Sequence, residues 1–418
     1  MNATTASVAP MTRAPVLLFA LATAVIVQGL YAAQPLVGAI AASLGLAPAE
    51  VSLVSTLAML GYALGLFLLV PLSDLIESRR LVLLTLAANA LALLAAALPI
   101  PASAFLAASL LAGLTAAVIQ MLIPMAAAMT DEAQRGRVIG NITSGLMLGI
   151  MLARPLASVI GGHWGWHASY LVLALAIAAL TLLLSRSMPR LPPLHRTSYP
   201  ALLISMARLW REEPLLRRRA ISAALCFGAF SAFWALVALR LALAPFHLDA
   251  DGIALFALVG VSGAISAPLA GRLGDAGKAR IAERAFYACV VLAAGLAWLG
   301  GVMHASSWGL VPLVLAAILL DAGTIGDITL GRRDVNLIRP EARGRINGIY
   351  TGVFFLGGAA GSAVAGLAWA HAGWLGVCLV VLGFALAALG GGRRREEADA
   401  IPPPRPSPET ALRCNRTC

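Results

Sequence analysis

The chain has 418 residues, of which 60% are hydrophobic and 12% are charged, and its formal net charge is +11. Soluble domains carry about 25% charged residues, so this composition excludes a water-soluble globular protein and indicates an all-α integral membrane protein. No cofactor is expected, because the sequence has no P-loop motif and its five cysteines form no CxxC pair or metal-ligand spacing.

Twelve apolar runs follow one another along the chain, and the breaks between them coincide with Pro, Gly or charged residues. A helix needs about 20 apolar residues to cross a bilayer core. The approximate bounds of the runs are 15–38, 50–72, 80–100, 102–126, 138–161, 167–186, 219–243, 252–271, 281–303, 307–330, 345–370 and 374–391. The sequence therefore predicts twelve transmembrane helices.

The basic residues predict how these helices are oriented. All but two of the 30 Lys and Arg residues fall in segments that share one side of the membrane. The exceptions are Arg154, inside the fifth run, and Arg240, at the outer end of the seventh. Because Lys and Arg favour cytoplasmic loops, we expect a multi-pass plasma membrane protein, in a bacterial inner membrane, with both termini cytoplasmic. The positive charge then faces anionic lipid, and no nucleic-acid partner is expected.

The composition of the connecting segments predicts the domain organisation. The expected parts are a cytoplasmic tail at 1–14, a six-helix half at 15–186, a central cytoplasmic loop at 187–218, a second six-helix half at 219–391 and a disordered cytoplasmic tail at 392–418. In the central loop, Ala201–Trp210 is expected to form an amphipathic helix at the membrane surface.

An internal repeat relates the two halves. The loop Val70–Arg80 has a counterpart at Gly271–Arg280, and the matching pairs at a spacing of 201 are Leu72 with Leu273, Asp74 with Asp275, and Arg79 with Arg280. At a spacing of 208, Arg135-Gly136-Arg137 matches Arg343-Gly344-Arg345, Thr143 matches Thr351, His163 matches His371, and Trp166 matches Trp374. Both spacings are explained if the chain consists of two halves that have the same topology and are related by an axis along the membrane normal.

Together these features resemble the major facilitator superfamily over about residues 15–391. The family's loop motif, roughly G-x-L-x-D-x-x-G-R-R, is matched in the second copy at Gly271, Leu273, Asp275 and Arg280. The first copy keeps Leu72, Asp74 and Arg79, with Val70 and Glu77 at the usual glycines. The resemblance implies the major facilitator fold and transport by alternating access. The fifth run, with Gly145, Gly149, Pro155, Gly161 and Gly162, resembles in part the antiporter motif of drug:proton efflux members, although Arg154 stands where a small residue is usual.

The charged loops suggest a cytoplasmic gate. The carboxylate of Asp74 can accept hydrogen bonds from the N-terminus of a neighbouring helix, and the resemblance implies that this is the eleventh helix, which starts near Arg345. The gate residues expected on these grounds are Asp74, Arg79, Arg80, Arg135, Arg137, Asp275, Arg280, Arg343 and Arg345. The alternative is that these charges only set the topology.

Polar residues inside the apolar runs suggest a substrate or proton site. Arg154 lies about 24 Å along its helix at 1.5 Å per residue, and an intramembrane arginine faces the bundle interior or is held by backbone carbonyls. Asp321 is its expected electrostatic partner, and Asp327 either contributes or caps the helix end near Arg332. The residues of the expected site are Arg154, Asp321, Gln34, Gln28, Gln120 and Asp327, and the alternative for the glutamines is hydrogen bonding between helices.

The function expected from the sequence is proton-coupled export of small organic compounds by a secondary transporter without enzymatic activity. The expected partners are the lipid bilayer, a small-molecule substrate and protons, and we expect a monomer. One alternative is an importer of a small anionic metabolite that uses Arg154 as a clamp. Another, from a different class, is a membrane sensor or scaffold that does not transport.

Overall fold

The computed structural model describes residues 13–189, 198–303, 307–339 and 342–400, and its regular elements within these ranges are all helical. The α-helices are α1 (Arg13–Tyr31), α2 (Ala33–Leu44), α3 (Leu53–Leu68), α4 (Ser78–Ala96), α5 (Ala102–Ala116), α6 (Ile119–Ala128), α7 (Glu132–Trp164), α8 (Trp166–Ser187), α9 (Tyr199–Glu212), α10 (Pro214–Ala242), α11 (Ala250–Ala257), α12 (Ser262–Asp275), α13 (Ala279–Val302), α14 (Leu310–Val335) and α15 (Arg343–Ala400). Three short 3-10 helices lie at Val70–Asp74, Leu258–Val261 and Ser307–Gly309.

Within these ranges, ten helical segments are long and apolar enough to cross a membrane, and the number is eleven if the bent pair α1 and α2 is one span. That pair bends by 44°. The last segment, Arg343–Gly391, is counted once although it has 49 residues. At about 1.5 Å per residue its length is about twice the thickness of a bilayer core. The structure therefore confirms a polytopic all-helical protein, while the count of twelve spans stays a prediction.

Several predicted helices are longer or more broken than their apolar runs. The run 102–126 is divided between α5 and α6, and the run 252–271 is interrupted by the 3-10 helix Leu258–Val261. The run 138–161 belongs to the longer α7, because the polar residues at its start continue the helix beyond the apolar part. In the same way α15 continues to Ala400, into the segment expected to be a disordered tail, and the remainder of that tail lies outside the described residues.

The internal repeat is visible in the backbone. Gly165 separates α7 from α8 with φ 82°, and Gly373, at the predicted spacing of 208, lies within α15 with φ 55°. Ala372 and Gly373 also depart from helical φ/ψ values, so α15 consists of two helical segments that join there. A positive φ favours glycine. Equivalent positions of the two halves therefore use the same residue for the same turn.

The crossing of the first and fifth predicted helices recurs between the seventh and the eleventh. A Cβ atom on Gly149 of α7 would clash with the carbonyl oxygen of Ala24 on α1. A Cβ atom on Gly357 of α15 would clash in the same way with that of Ala224 on α10. Close helix contact through small residues is typical of membrane proteins. The glycines that resemble an efflux motif in α7 thus have a packing role.

We expect Gly149→Ala to lower the free energy of unfolding by about 1–3 kcal/mol, because the added methyl group has no space against α1. Gly140→Ala is the matched control on the same helix, since a Cβ atom there meets nothing within 4 Å. This control should raise stability by about 0.5–1 kcal/mol through helix propensity. Chemical unfolding of the purified variants in one detergent measures both, and equal effects would contradict the close crossing.

The linker helix α9 packs its apolar face against the protein, and its predicted position at the membrane surface stays a prediction. Its apolar residues Leu202, Met206 and Leu209 are buried against the protein itself. Tyr199 donates to the Leu68 carbonyl oxygen at 2.9 Å, and Ser205 accepts from Arg345 at 2.9 Å. Because Leu68 belongs to the first half and Arg345 to the second, α9 bridges the halves. Its apolar face is buried by protein, so lipid is not needed to cover it.

Candidate functional site

The predicted site residues Arg154, Asp321 and Gln34 come together in the interior. Arg154 on α7 is 4% exposed and Asp321 on α14 is 3% exposed. The Arg154 Nε atom donates to Gln34 Oε1 on α2 at 2.6 Å. Asp321 Oδ1 accepts from Trp234 Nε1 on α10 at 2.8 Å. The cation and its glutamine partner belong to the first half, whereas the carboxylate and its tryptophan partner belong to the second.

Three aromatic rings surround the guanidinium group of Arg154. Its Cζ atom lies 4.3 Å from the ring centroid of Trp234, 5.0 Å from that of Tyr31 and 5.3 Å from that of Phe230. Cation–π attraction over a ring face strengthens where water is excluded. The rings therefore stabilise a buried positive charge without forming hydrogen bonds to it. The alternative from the sequence, in which backbone carbonyls hold Arg154, is not what the structure shows.

Arg154 and Asp321 face each other across Gly260 and do not form a close ion pair. Salt bridges with N–O distances of 4.0 Å or less, counted over the described residues, do not include this pair. A Cβ atom on Gly260 would lie 3.2 Å from Asp321 Oδ2 and 3.8 Å from Arg154 Nη1. The two groups attract each other across this glycine, and a side chain there would crowd Asp321. The predicted partnership is electrostatic.

Two donors at this site have no acceptor. Arg154 Nη2 and Gln34 Nε2 are buried and make no hydrogen bond. A buried donor without an acceptor is unfavourable by about 1–3 kcal/mol. Beside these residues lies a cavity of about 10 Å³, lined also by Trp234 and Phe256, which is about the size that one water molecule needs. The site is thus polar, incomplete and too small here for an organic molecule.

A much larger cavity of about 640 Å³ lies between the halves, toward the Asp74 loop. It reaches solvent at exposed residues such as Arg332 and Gly344, and much of its wall is apolar. Gln120 lines this cavity and donates to the Tyr62 hydroxyl group at 3.3 Å, so it lies apart from Arg154. The protein is therefore open at the end of the Asp74 loop.

A continuous series of rings separates the large cavity from Arg154. Centroid distances are 4.4 Å from Tyr62 to Phe355, 5.0 Å from Phe355 to Phe227, 5.3 Å from Phe227 to Phe230 and 6.2 Å from Phe230 to Trp234. We call these five residues the aromatic layer. Tyr62 belongs to the first half and Phe355 to the second. Through Tyr62, which contacts Gln120 in the wall of the large cavity, the layer connects that wall with the surroundings of Arg154 by contact across the halves.

The expected gate residues of the first half lie around the mouth of the large cavity. Asp74 ends the 3-10 helix Val70–Asp74 and lines the cavity. Arg79 donates to the Ser185 carbonyl oxygen and Arg135 to that of Ala127, while Arg80 and Arg137 are exposed. Backbone oxygens are therefore partners of two arginines for which ion pairs were expected.

In the second half, Arg345 at the start of α15 lines the same cavity as Asp74. Asp275 pairs with Arg333 at 3.2 Å, and Arg343 donates to the Asn336 carbonyl oxygen at 3.2 Å. Arg280 is exposed. A gate role for all these residues stays a prediction.

Two residues of the predicted site lie elsewhere. Gln28 donates to the Ala24 carbonyl oxygen one turn earlier on its own helix, at 3.1 Å. Asp327 is 1% exposed and accepts from Ser222 Oγ at 3.1 Å, so it does not cap the end of α14. Asp327 follows Asp321 by six residues on α14, so it lies farther along the helix and on a different face, which is directed toward another helix.

Sequence reasoning missed Phe230 and Trp234, which together with Tyr31 complete the surroundings of Arg154. Phe227, Phe230 and Trp234 recur at intervals of three and four residues along α10. This spacing places them on one helix face. The spacing was available in the sequence, whereas its orientation toward Arg154 was not.

Comparison with known proteins identifies the family. The model of the Major Facilitator Superfamily matches residues 19–330. The chain belongs to this superfamily. It is 35% identical over 366 residues to Uncharacterized transporter YgaY of Escherichia coli O157:H7, a match that covers 87% of this chain and 91% of the relative. It is 35% identical over 370 residues to Probable transporter SCO4007 of Streptomyces coelicolor, covering 87% of this chain and 83% of the relative.

Solved structures show the same fold at low identity. A mutant of the nucleoside transporter NupG superposes with a TM-score of 0.72 at 16% identity, covering 91% of this chain and 99% of that one. A bacterial homologue of the human lysosomal transporter Spinster superposes with a TM-score of 0.72 at 12% identity, covering 92% and 96% of the two chains. With transporter relatives over most of its length, this superfamily member is a multi-pass secondary transporter.

Proposed function

We propose that this superfamily member exports small, mostly apolar organic compounds by alternating access, driven by protons. The observation that carries the proposal is the pair Arg154 and Asp321, two buried charges that the opposite halves bring together across Gly260. Ionisable residues buried at membrane depth are unfavourable and mark ion or proton pathways. Because one charge belongs to each half, a change in either charge alters the attraction between the halves.

Protonation of Asp321 is the proposed coupling step. While Asp321 is ionised, it attracts Arg154 across the interface between the halves, and in a water-poor interior this attraction is strong. A proton on Asp321 removes the attraction and leaves the carboxyl group bonded to Trp234. The two protonation states therefore favour different arrangements of the halves, and a ligand or proton shifts the balance by its different affinity for each.

The large cavity supports an apolar substrate. Side chains such as Leu66, Met121 and Ile123 form its wall, and its volume of about 640 Å³ suits a small organic molecule. The aromatic layer lies at its inner end and offers ring faces to an apolar or aromatic compound. We propose that a substrate enters this cavity and that the layer separates to admit it to the charged site.

The proposal includes the finer topology. Twelve spans result when α1 and α2 form one and the segments of α15 on either side of Gly373 form two. The domains are then the tail 1–14, the halves 15–186 and 219–391, the loop 187–218 and the tail 392–418. Both termini are placed in the cytoplasm of a bacterial inner membrane, and the cavity beside Asp74 opens to the cytoplasm, as an exporter requires for loading. The protein acts as a monomer and not as an enzyme.

Import of an organic anion is the second candidate function. It is favoured by Arg154 Nη2 and Gln34 Nε2, two buried donors that lack an acceptor. A carboxylate between them would satisfy both, and it would compete with Asp321 for Arg154. In that case a proton on Asp321 would release Arg154 for the anion.

A thermal-shift screen of the purified protein, at two pH values, tests these candidates with pairs of neutral amides and their parent carboxylates. We expect the amides to raise the Tm of the wild type and of Arg154→Lys alike, since Lys keeps the charge. Shifts that only carboxylates produce, and that Arg154→Lys loses, would replace the first candidate by the second.

Compounds found in this way are then followed in inverted vesicles. Export that continues unchanged in collapsed proton gradients would exclude proton coupling. If none of the compounds were transported across the vesicle membrane, the sensor or scaffold would be the remaining hypothesis.

A further inference from the structure

A second buried polar cluster lies apart from Arg154 and joins α10, α13 and α14. Its core is a chain of four side chains: Asp327, Ser222, Tyr287 and Glu283. Asp327 is 1% exposed, Tyr287 2% and Glu283 7%. None of these residues lines the large cavity or the small cavity beside Arg154. The cluster therefore needs an explanation of its own.

The four side chains are connected by hydrogen-bond contacts between three pairs of neighbouring groups. Ser222 Oγ lies 3.1 Å from both carboxylate oxygens of Asp327. The Ser222 and Tyr287 hydroxyl oxygens are 2.5 Å apart. The Tyr287 hydroxyl oxygen lies 2.8 Å from Glu283 Oε1. Each distance is that of a hydrogen bond, and each contact between two oxygens needs one hydrogen atom.

The hydroxyl groups do not supply enough hydrogen atoms. Ser222 and Tyr287 bring one each, for three contacts. If Tyr287 donates to Glu283, Ser222 must donate to Tyr287, and nothing is left for the contact with Asp327. If both hydroxyl groups turn toward Asp327, the contact of Tyr287 with Glu283 lacks a hydrogen. A third one, on a carboxyl group at one end, satisfies the whole chain.

We propose that Asp327, Ser222, Tyr287 and Glu283 form a proton-binding relay that holds one exchangeable proton. The proton resides on Asp327 when the hydroxyl groups point toward Glu283, and on Glu283 when they point toward Asp327. Transfer along the relay breaks one O–H bond and forms one O–H bond at each oxygen in turn, so each hydroxyl group is restored. The relay binds its proton independently of Asp321, the coupling residue proposed above.

Arg219 sets the resting position of this proton. Its Nη1 atom lies 2.8 Å from Glu283 Oε1, and its Nε atom donates to Asp334 at 2.8 Å. Because Arg219 contacts Glu283, the arrangement with the proton on Asp327 and the negative charge at the Glu283 end keeps the opposite charges closest together. The charged and titratable groups around Asp327 are Arg219 and Cys226 on α10, Glu283 and Tyr287 on α13, Asp334 on α14 and Tyr350 on α15.

The relay has a more exposed end and a buried end. The Glu283 side chain keeps 10% exposure, and that of Asp334, beside Arg219, keeps 18%. Protons from solvent therefore reach Glu283 more readily than Asp327. Displacement of Arg219 from Glu283 would draw the proton outward, and its return would drive the proton back to Asp327.

Infrared difference spectra of the full-length protein in lipid bilayers test the relay, with H⁺ and D⁺ as the probes. The wild type is expected to show the carbonyl stretch of a protonated carboxylic acid at neutral pH. Asp327→Asn and Glu283→Gln should each remove this band, because either amide supplies the third hydrogen atom. Tyr287→Phe should also remove it, since the remaining contact between Ser222 and Asp327 needs only the serine hydrogen. Comparison of each variant with the wild type cancels any band from Asp321.

Tyr350→Phe is the matched control. Tyr350 is also a buried tyrosine that contacts α14, but its hydroxyl group donates to the Ile328 carbonyl oxygen at 3.0 Å, outside the relay. This variant should keep the band. A band that survives in both Asp327→Asn and Glu283→Gln, or a wild type without it, would overturn the proposal. Size-exclusion chromatography checks that each variant is folded. Ser222→Ala gives a second measurement: it should also remove the band, since the remaining contact between Tyr287 and Glu283 needs only the tyrosine hydrogen.

Discussion

Asp321→Asn should reduce proton-driven uphill export by at least about 100-fold. The amide cannot carry a proton between the two sides, and it cannot attract Arg154 as a carboxylate does. Its carbonyl oxygen still accepts from Trp234 Nε1, which donates to Asp321 at 2.8 Å, so the helix contact is kept. Downhill movement of the substrate is expected to continue, without any dependence on the proton gradient.

Inverted membrane vesicles with an imposed pH gradient measure both properties in one preparation. Asp251→Asn is the matched control, because Asp251 is an exposed carboxylate in the first turn of α11. This control should change export by less than about twofold, as surface substitutions have small effects. If Asp321→Asn retained uphill export that still followed the gradient, Asp321 would not be the coupling group, and the relay at Asp327 would become the candidate.

The order of helices could be read from the sequence because a bilayer imposes the same requirement on every span. About 20 apolar residues and loops with a charge bias follow from the bilayer alone. The repeat was also readable, because equivalent positions in the two halves have the same structural task. Gly165 and Gly373, for example, form the same turn in both halves. The break between α1 and α2 was not predicted, although Pro35 in the first turn of α2 has no backbone N–H to bond the carbonyl oxygen of Tyr31 and so indicates a break at this point.

Depth along a helix could also be predicted, and this was sufficient to bring Arg154 and Asp321 together. Direction around the bundle was harder. Asp327 was placed at the correct depth, but the helix that it faces, with Ser222 and Tyr287, depends on how α10, α13 and α14 pack. Arg219 and Glu283 lie near the ends of apolar runs, where charges usually set topology, so a buried ion pair was not expected there.

Arg219→Met should lower the free energy of unfolding by about 3–5 kcal/mol, since removing one partner of a buried ion pair leaves the other charge uncompensated. Arg219 has 2% side-chain exposure and contacts both Glu283 and Asp334. Arg208→Met is the matched control, because Arg208 pairs with Glu212 at 4.0 Å outside this cluster and the two side chains are 71% and 43% exposed. An exposed pair contributes about 0–1 kcal/mol.

The physical cause can be separated from a simple packing defect by a compensating substitution. If the loss in Arg219→Met comes from stranded negative charge, adding Glu283→Gln and Asp334→Asn should recover part of the stability, although neither restores the volume of the arginine. A packing defect would instead persist or grow. The comparison comes from unfolding the wild type, Arg219→Met, the compensated variant and the control in one detergent, followed by circular dichroism. Equal losses in Arg219→Met and Arg208→Met would show that burial does not make the Arg219 cluster special, because water would then screen both pairs alike.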